Sequence, residues 1–461
     1  VSSNRMALRS TRSGWRAAAR TESARFTGIG ASVSQSAGGS LCDDHVVTDA
    51  TSGRRWPLVL AALLVALGLG EAGARWRWAH PPIPPSDQAP APRGMFVNDP
   101  ITGYRLAAGF VDRPHGLSTN ALGFRDKARV PGAGSVLRIV VTGDSFAAGV
   151  GVGDRQTLTR QLEEGLRRRG IAAEVWNLGV PHFGTAQAVD LLLAEWDRVQ
   201  PDVVVHLLFS GNDALDDLHG PSVHTVRDGW MTRRPWAPWP GERDRALRVD
   251  ANRPLLAQGV VGDGLLWRFS SFYRLAAGGM HAARGASVPP WGMEPFDYEA
   301  FGGVAWLLLA PAPPPVRAAW AISEAAVGRL AERCGELGVP VVLVSAPMRA
   351  AVEGLAGVGT GLTEEALDPN LPERRTEALA ASAGVPVLPL LGALQARAHE
   401  PVYYRDDSHW NAAGHRVAAI AIGEDLAQRG WIPPVDGLRA ALEAAVPVGS
   451  APATLREAWP R

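Results

Sequence analysis

The sequence predicts a three-layer α/β/α fold in which helices cover both faces of a mostly parallel sheet. Short apolar runs of strand length alternate along the chain with longer segments that have helical periodicity. The longest of these runs is apolar at nearly every position, which is typical of a strand buried on both faces. A helical segment precedes each later run, and helical crossovers are the connections that parallel neighbours require.

The alternation assigns a position to each strand and helix of the sheet domain. The predicted strands are Leu137–Val141, Glu174–Trp176, Val203–Phe209, Val341–Val344 and Val385–Leu390. The predicted helices are one carrying Leu158, Leu162 and Leu166 and closed by Gly170, one capped by Thr185 and ending near Arg198, and three near 317–337, 372–383 and 412–429.

The other segments have compositions that separate them from this domain. Residues 1–53 lack sustained periodicity and are predicted to be a disordered tail. The domain itself is predicted to span 93–432, with an insertion at about 219–315 that is rich in Trp, Pro and Gly. Those residues fit stacking on sugar rings, lining an acyl site or forming the insertion's own core. Residues 433–461 are interpreted as a short helix and a loose tail.

An apolar segment at 54–75 admits three interpretations. Arg54 and Arg55 precede an apolar run that approaches the roughly 20 residues a spanning helix needs. It fits a signal anchor that contacts the membrane through residues 56–74 and leaves the body in the periplasm or outside the cell. It also fits a cleaved signal peptide of a secreted protein, because Ala72-Gly73-Ala74 is an A-x-A site. The third interpretation is a buried core helix. The Pro-rich residues 76–92 that follow are predicted to be a semi-rigid stalk.

Charge and cysteine content narrow the classes of partner and cofactor. Lys and Arg together number 46, as do Asp and Glu, so the basic excess typical of nucleic-acid-binding proteins is absent from the sequence. The two cysteines, Cys42 and Cys334, fall in the predicted tail and in a predicted helix, and no Cys/His spacing typical of zinc occurs. The sequence therefore predicts no nucleic-acid partner, metal or cofactor.

Polar motifs follow the first and third predicted strands, where an open parallel sheet binds its ligands. Gly143-Asp144-Ser145-Phe146 allows a sharp turn that projects the Ser145 hydroxyl into the crevice, although a serine needs a base to become a nucleophile. A helix cap is the alternative interpretation. Ser210-Gly211-Asn212-Asp213 places an amide that can donate to an oxyanion, or forms an ordinary Gly-Asn turn.

Two further segments complete the chemistry. The loop from Asn177 to Gly184 is tight and contains glycine, so it can expose backbone N–H groups as oxyanion donors. Near the C-terminus, Asp406 and Asp407 precede His409 at a helix entrance, which suits an imidazole base oriented by a carboxylate. The alternative for that segment is a capping turn with a surface histidine.

The motifs GDSF, SGND and DDSHWNAAGH, in this order, resemble those of the SGNH (GDSL-like) hydrolase family over about 137–217 and 316–430. The resemblance implies a flavodoxin-like sheet, Ser145 as nucleophile, His409 as base, and an oxyanion hole that includes the Ser145 N–H and Asn212. The second motif of the family contains a glycine whose N–H donates to the oxyanion. His182 aligns with that glycine in this chain, and Gly184 is the other candidate donor. The family spacing Asp-x-x-His favours Asp406 slightly as the acid, whereas the Asp-x-His of many membrane-anchored members selects Asp407.

The function implied by this resemblance is a serine-dependent carboxylic ester hydrolase. Its expected substrate is an acylated carbohydrate, most plausibly an acetylated cell-envelope or extracellular polysaccharide, or another ester. The alternatives are an O-acetyltransferase served by a membrane acetyl-donor protein, a lipase-like esterase, and an inactive carbohydrate-binding scaffold. The intact Ser145, Asn212 and His409 argue against the last. The segment Asn120–Arg125 resembles one that precedes the domain in anchored members, and the sequence assigns it no task.

Overall fold

The structure of the chain is a computed structural model. It describes residues 55–84, 91–131, 136–219, 224–233, 270–273, 307–312, 314–354, 367–397, 400–405, 407–434, 436–444 and 454–455. The predicted tail 1–53 with Cys42, most of the predicted insertion 219–315, and Asp406 lie outside these ranges. The chain divides into two units, Val1–Leu60, of which residues 55–60 are described, and Ala61–Arg461.

The secondary structure of the described residues has the following bounds. The strands are β1 (Phe96–Asp99), β2 (Gly103–Leu106), β3 (Val111–Asp112), β4 (Leu117–Ser118), β5 (Leu137–Thr142), β6 (Ala173–Asn177), β7 (Val203–Phe209), β8 (His224–Arg227), β9 (Trp230–Arg233), β10 (Val341–Ala346) and β11 (Val387–Pro389). The helices are α1 (Arg55–Ala79), α2 (Ser145–Ala148), α3 (Leu158–Arg168), α4 (Thr185–Val199), α5 (Asp213–His219), α6 (Pro314–Leu337), α7 (Arg349–Glu353), α8 (Leu371–Ser382), α9 (Leu391–Gln395), α10 (Ala412–Gln428) and α11 (Leu438–Glu443).

A five-stranded sheet organises the fold, with strand order β11-β10-β7-β5-β6. All four strand pairs are parallel, which confirms the predicted fold class. The chain runs from β5 to β6 on one side and then crosses to β7 on the other side of β5. This order is 2-1-3-4-5 in chain sequence, so the direction of winding reverses between β5 and β7. A ligand site is expected outside the carboxyl ends of those two strands.

The core occupies both faces of this sheet. Successive residues of β7 are all buried, with Val205 and Leu207 in the cluster that contains α3 and α10, and Val204 in the cluster that contains α4 and α6. Cys334, in α6, is a buried free cysteine of that second cluster. The predicted sheet strands and helices match the observed ones within a few residues, with one local correction. Thr185 is the first residue of α4 rather than its cap, because Gly184 occupies the cap position.

The C-terminal helix α11 belongs to the main core. Leu438 and Leu442 are buried there against α3 and α10. Gly165 of α3 makes room for the contact, since a Cβ at that position would lie 2.2 Å from the Leu442 side chain. The packed body therefore continues past residue 432, at least to Leu442.

The N-terminal helix α1 corrects one of the three interpretations of the apolar segment. An 18-residue window within Trp56–Ala79 has a mean hydropathy of 1.9 and is only 6% buried, so a buried core helix is wrong. Within the described ranges it is the helix whose length and composition suit a membrane span, and a signal sequence has the same features. The helix continues to Ala79, so the first residues of the predicted 76–92 stalk are helical.

Candidate active site

The turn after β5 brings Ser145 to the switch point of the sheet. Gly143 is required there, because a Cβ would lie 2.5 Å from the Leu207 carbonyl oxygen of the neighbouring β7. Asp144 then caps α2, since its Oδ1 accepts a hydrogen bond from the Phe146 N–H at 2.9 Å. Ser145 is therefore the first residue of a short helix, and it is only 8% exposed.

A chain of hydrogen bonds links Ser145 to His409 and Asp407. The Ser145 Oγ lies 2.8 Å from His409 Nε2, and His409 Nδ1 lies 2.5 Å from Asp407 Oδ1. The backbone N–H of His409 donates to the same carboxylate oxygen at 2.8 Å. A carboxylate at Nδ1 requires the imidazole proton on that nitrogen, which leaves Nε2 free to accept the serine proton. The rival acid, Asp406, lies outside the described residues.

The loop carrying His409 is held from three sides. The Tyr404 N–H donates to the His409 carbonyl at 3.1 Å, which closes the turn around the histidine. Arg349 of α7 donates from Nη1 to the carbonyl oxygens of Tyr404 and Arg405, at 3.1 and 2.9 Å. On the other side, Asn411 caps α10 through its side-chain oxygen and donates from Nδ2 to Pro401 O at 2.7 Å. These contacts fix the backbone from which His409 reaches Ser145.

Aromatic packing fixes the plane of the imidazole. The Phe146 ring stacks on His409 at a centroid distance of 5.2 Å and an interplanar angle of 29°. Phe146 itself is stacked on Phe209 at 4.0 Å and meets the edge of the buried Trp410 at 4.8 Å. The residue after the serine therefore supports the base, a role that the sequence motif did not reveal.

The Asp144 side chain also contacts the nucleophile. The sequence indicated only a helix cap for this motif and did not predict the contact. Its Oδ2 lies 3.0 Å from Ser145 Oγ, and the residue is 1% exposed. Burial raises the pKa of the Asp144 carboxyl, opposed by the Phe146 N–H and by nearby His409. A hydroxyl carries a single proton, so Oγ cannot donate to Asp144 and His409 together.

The loop from Asn177 to Gly184 lies against α2, the helix that begins with Ser145. A Cβ at Gly179 would lie 2.2 Å from the Ala148 backbone nitrogen, so only glycine allows this approach. His182 adopts φ +64, a left-handed conformation that glycine favours, which fits the family's glycine at this position. Tyr104, buried in β2, lies with its hydroxyl 2.7 Å from His182 O and 3.3 Å from Pro181 O. The Pro181 carbonyl and the His182 N–H belong to one trans peptide and point in opposite directions, so the His182 N–H is directed away from the Tyr104 hydroxyl.

The other two candidate oxyanion donors differ in their surroundings. Gly184 N–H is buried and donates to Gln187 Oε1 at 3.4 Å, within the cap of α4. Asn212 lies between β7 and α5, and its Nδ2 donates to Asp216 Oδ2 at 2.8 Å. That bond uses one of two amide protons, so Asn212 retains a second donor for a ligand.

Replacing Asn212 by Ala is expected to lower kcat for ester hydrolysis by about 10²- to 10³-fold, the usual cost of one oxyanion donor. KM should change far less, because the amide is needed mainly as charge develops on the carbonyl oxygen. Asn370→Ala is the matched control, since Asn370 is exposed at the start of α8 and its side chain makes no capping bond there. Steady-state kinetics test the prediction, and a loss below threefold would remove Asn212 from the site.

Two other histidines of the sequence are buried and neutral. Burial lowers the pKa of His206, in the middle of β7, to about 4. Burial also lowers the pKa of His415 to about 3, with Arg125 and His409 adding to the effect. Both rings lie inside the packed domain.

The parallel sheet has the flavodoxin-like strand order, and the candidate site lies at its switch point. Residues 301–451 match a protein-family model described as "SGNH hydrolase-like domain, acetyltransferase AlgX". The match covers about a third of the chain, and the fold is SGNH hydrolase-like.

Solved structures with similar folds include esterases. TesA is 14% identical, with 63% of this chain and 97% of that chain covered and a TM-score of 0.33. The acetylxylan esterase Axe2 from Geobacillus stearothermophilus is 13% identical, with 65% and 97% covered and a TM-score of 0.33. The acetyl xylan esterase AlAXEase is 14% identical, with 63% and 100% covered and a TM-score of 0.32. These likenesses carry no argument about activity. The comparison with curated proteins gave no match.

Proposed function

We propose that this chain is a serine-dependent carboxylic ester hydrolase with Ser145 as nucleophile, His409 as base and Asp407 as the orienting acid. The observation that carries the proposal is the hydrogen-bonded sequence Ser145 Oγ, His409 Nε2, His409 Nδ1 and Asp407 Oδ1, with distances of 2.8 and 2.5 Å. Both distances lie within the reach that proton transfer between a nucleophile and its base requires.

The reaction follows from this geometry. His409 Nε2 takes the Ser145 hydroxyl proton while Oγ forms a bond to the ester carbonyl carbon. The developing oxyanion accepts hydrogen bonds from the Ser145 N–H, the Asn212 amide and the His182 N–H. As the intermediate collapses, the carbon–oxygen bond to the alcohol breaks and His409 returns the proton to the departing oxygen. Water, deprotonated by His409, then attacks the acyl carbon. The bond to Ser145 Oγ breaks, Oγ takes the proton back from His409, and the carboxylic acid is released.

The proposed substrate is an acetylated cell-envelope or extracellular polysaccharide. The description of the matching family model names an acetyltransferase, which supports an acetyl group as the acyl group. We also propose that α1 anchors the protein in a membrane and that the body faces the periplasm or the exterior. Its exposed apolar surface, with Trp56 73% and Leu69 70% exposed, supports an anchor.

O-acetyl transfer is a second candidate function, favoured by the description of the matching family model. The chemistry up to the acyl-serine is the same. A sugar hydroxyl would then replace water as the acceptor, its proton passing to His409, so that a new ester forms. A membrane protein that delivers acetyl groups would be the partner in that case.

One experiment tests both functions on the full chain in detergent micelles. Acetate release is measured from acetylated oligosaccharides and from model esters of increasing chain length, with Ser145→Ala as the blank. Isotopically labelled acetyl donor is then offered together with deacetylated oligosaccharide. Release of acetate supports hydrolysis, and label retained on the sugar supports transfer. Absence of both, with no fluorophosphonate labelling of Ser145, would overturn the proposal in favour of an inactive scaffold.

A further inference from the structure

The segment Asn120–Arg125 contains a buried cation that contacts the nucleophile helix. The Arg125 side chain is only 1% exposed. Its Nη1 donates to the carbonyl oxygens of Ala148 and Gly149, and its Nη2 donates to Val152 O at 2.5 Å. Its Nε donates to Asp154 Oδ1 at 3.1 Å. A single guanidinium thus binds three carbonyl groups within five residues of the chain, which lie three to seven residues after Ser145.

The preceding residues build the turn that presents this guanidinium. Asn120 Oδ1 accepts hydrogen bonds from the N–H groups of Leu122 and Phe124, at 2.9 and 3.1 Å. Gly123 has φ +77, and a Cβ there would lie 2.7 Å from Leu106 O, so the turn needs glycine. Phe124 is buried with its ring edge towards Trp176. The sequence Asn-x-x-Gly-Phe-Arg therefore has a structural purpose, which is to deliver Arg125 to the end of α2.

Helix α2 needs such a partner because it has only four residues. A helix this short contains about one turn, and no N–H group inside the helix donates to its last carbonyl oxygens. Unpaired buried carbonyls cost free energy, and the alternative to pairing them is a shift of the turn. The Ser145 hydroxyl and N–H sit at the other end of the same turn, so any shift moves both relative to His409.

We propose that Arg125 is a positioning residue for the nucleophile. By binding the Ala148 carbonyl at the end of α2 and the Gly149 and Val152 carbonyls just beyond it, its guanidinium holds Ser145 Oγ on His409 Nε2 and the Ser145 N–H in the oxyanion hole. The inference rests on the proposed serine-dependent function and adds a residue that touches neither substrate nor the reacting atoms.

Arg129 provides a matched control four residues further along the chain. Its side chain is 0% exposed and pairs with Asp126 and Glu163, and it donates to Val175 O at 2.8 Å. It is thus a buried, ion-paired arginine shortly after the segment, and these partners lie in α3, in β6 and next to the segment rather than in α2. Substitution of either arginine should lower the stability of the fold, whereas only substitution of Arg125 should displace the nucleophile.

The test compares Arg125→Lys, Arg125→Ala and Arg129→Lys in the full chain in detergent. An ammonium cannot bind three carbonyls in a planar fork. Arg125→Lys should therefore lower kcat and the rate constant of fluorophosphonate labelling about 10²-fold with KM nearly unchanged, because small misplacements carry such costs. Added guanidinium should restore part of the rate to Arg125→Ala. Arg129→Lys should keep kcat within about threefold while its thermal midpoint falls as much as that of Arg125→Lys.

Three outcomes overturn the inference. They are full kcat in Arg125→Lys, an equal loss of kcat in Arg129→Lys at matched stability, and no rescue of Arg125→Ala by guanidinium. The proposed function is judged separately, by the wild type. If the wild type hydrolyses no ester but its Ser145 labels rapidly, the hydrolase proposal fails and the labelling rates of the variants still decide the role of Arg125. If Ser145 does not label at all, both fail.

Discussion

Ser145→Ala is expected to lower kcat for ester hydrolysis by about 10⁴- to 10⁶-fold, to the level that oxyanion donors and binding alone supply. The variant lacks the oxygen that bonds to the acyl carbon, so no acyl-enzyme can form. Its fold should persist, because Ser145 contributes only its hydroxyl to His409 and Asp144, while the cap of α2 depends on the Asp144 side chain. Covalent labelling by a fluorophosphonate should disappear together with turnover.

Ser408→Ala is the control for this prediction. Ser408 is an exposed serine next to His409, so its loss tests whether any serine near the base accounts for labelling. The Ser408→Ala variant should react with the fluorophosphonate and hydrolyse esters at wild-type rates. Labelling of Ser145→Ala at the wild-type rate, with the modified peptide mapping elsewhere, would assign the nucleophile to another residue.

The strands, their order of appearance and the positions of the polar motifs could be predicted from sequence because each rests on a local signal. Strand β7 is a run of seven buried residues followed at once by Ser210, and β5 is followed by Gly143. The carboxyl ends of parallel strands meet at one edge, so motifs after β5 and β7 had to converge. That His409, 264 positions from Ser145 in the chain, meets its hydroxyl follows from no local pattern and needed the family resemblance.

Other features depend on contacts that no spacing encodes. The arginine of Asn-x-x-Gly-Phe-Arg is an ordinary polar residue in the sequence, and its purpose appears only when α2 is placed against it. Helix α11 looks like part of a tail, yet Gly165 lies beneath Leu442 and admits it to the core. The sequence is compatible with Asp144 as a helix cap and as a neighbour of the nucleophile, and in the structure it is both. In each case the partner is distant in the chain.

Asp407→Asn is expected to produce the second-largest loss, about 10²- to 10⁴-fold in kcat, with little change in KM. In the structure one carboxylate oxygen accepts from both the N–H and Nδ1 of His409. An amide at that position removes the negative charge that stabilises the imidazolium, and if its NH₂ group faces Nδ1 it imposes the wrong tautomer. The size of the loss should fall below that of Ser145→Ala, because the nucleophile and the base remain in place.

Asp406→Asn is the matched control for this prediction. The two aspartates are adjacent in the chain and carry the same charge, so a nonspecific electrostatic effect on the loop would reduce activity in both variants alike. If Asp407 alone orients His409, Asp406→Asn should retain kcat within about threefold while Asp407→Asn loses at least about 10²-fold. The reverse pattern would assign the acid to the Asp-x-x-His spacing and would mean that the Asp407–His409 bond is not the catalytic one. Steady-state kinetics on the two variants, with fluorophosphonate labelling to count competent sites, separate these cases.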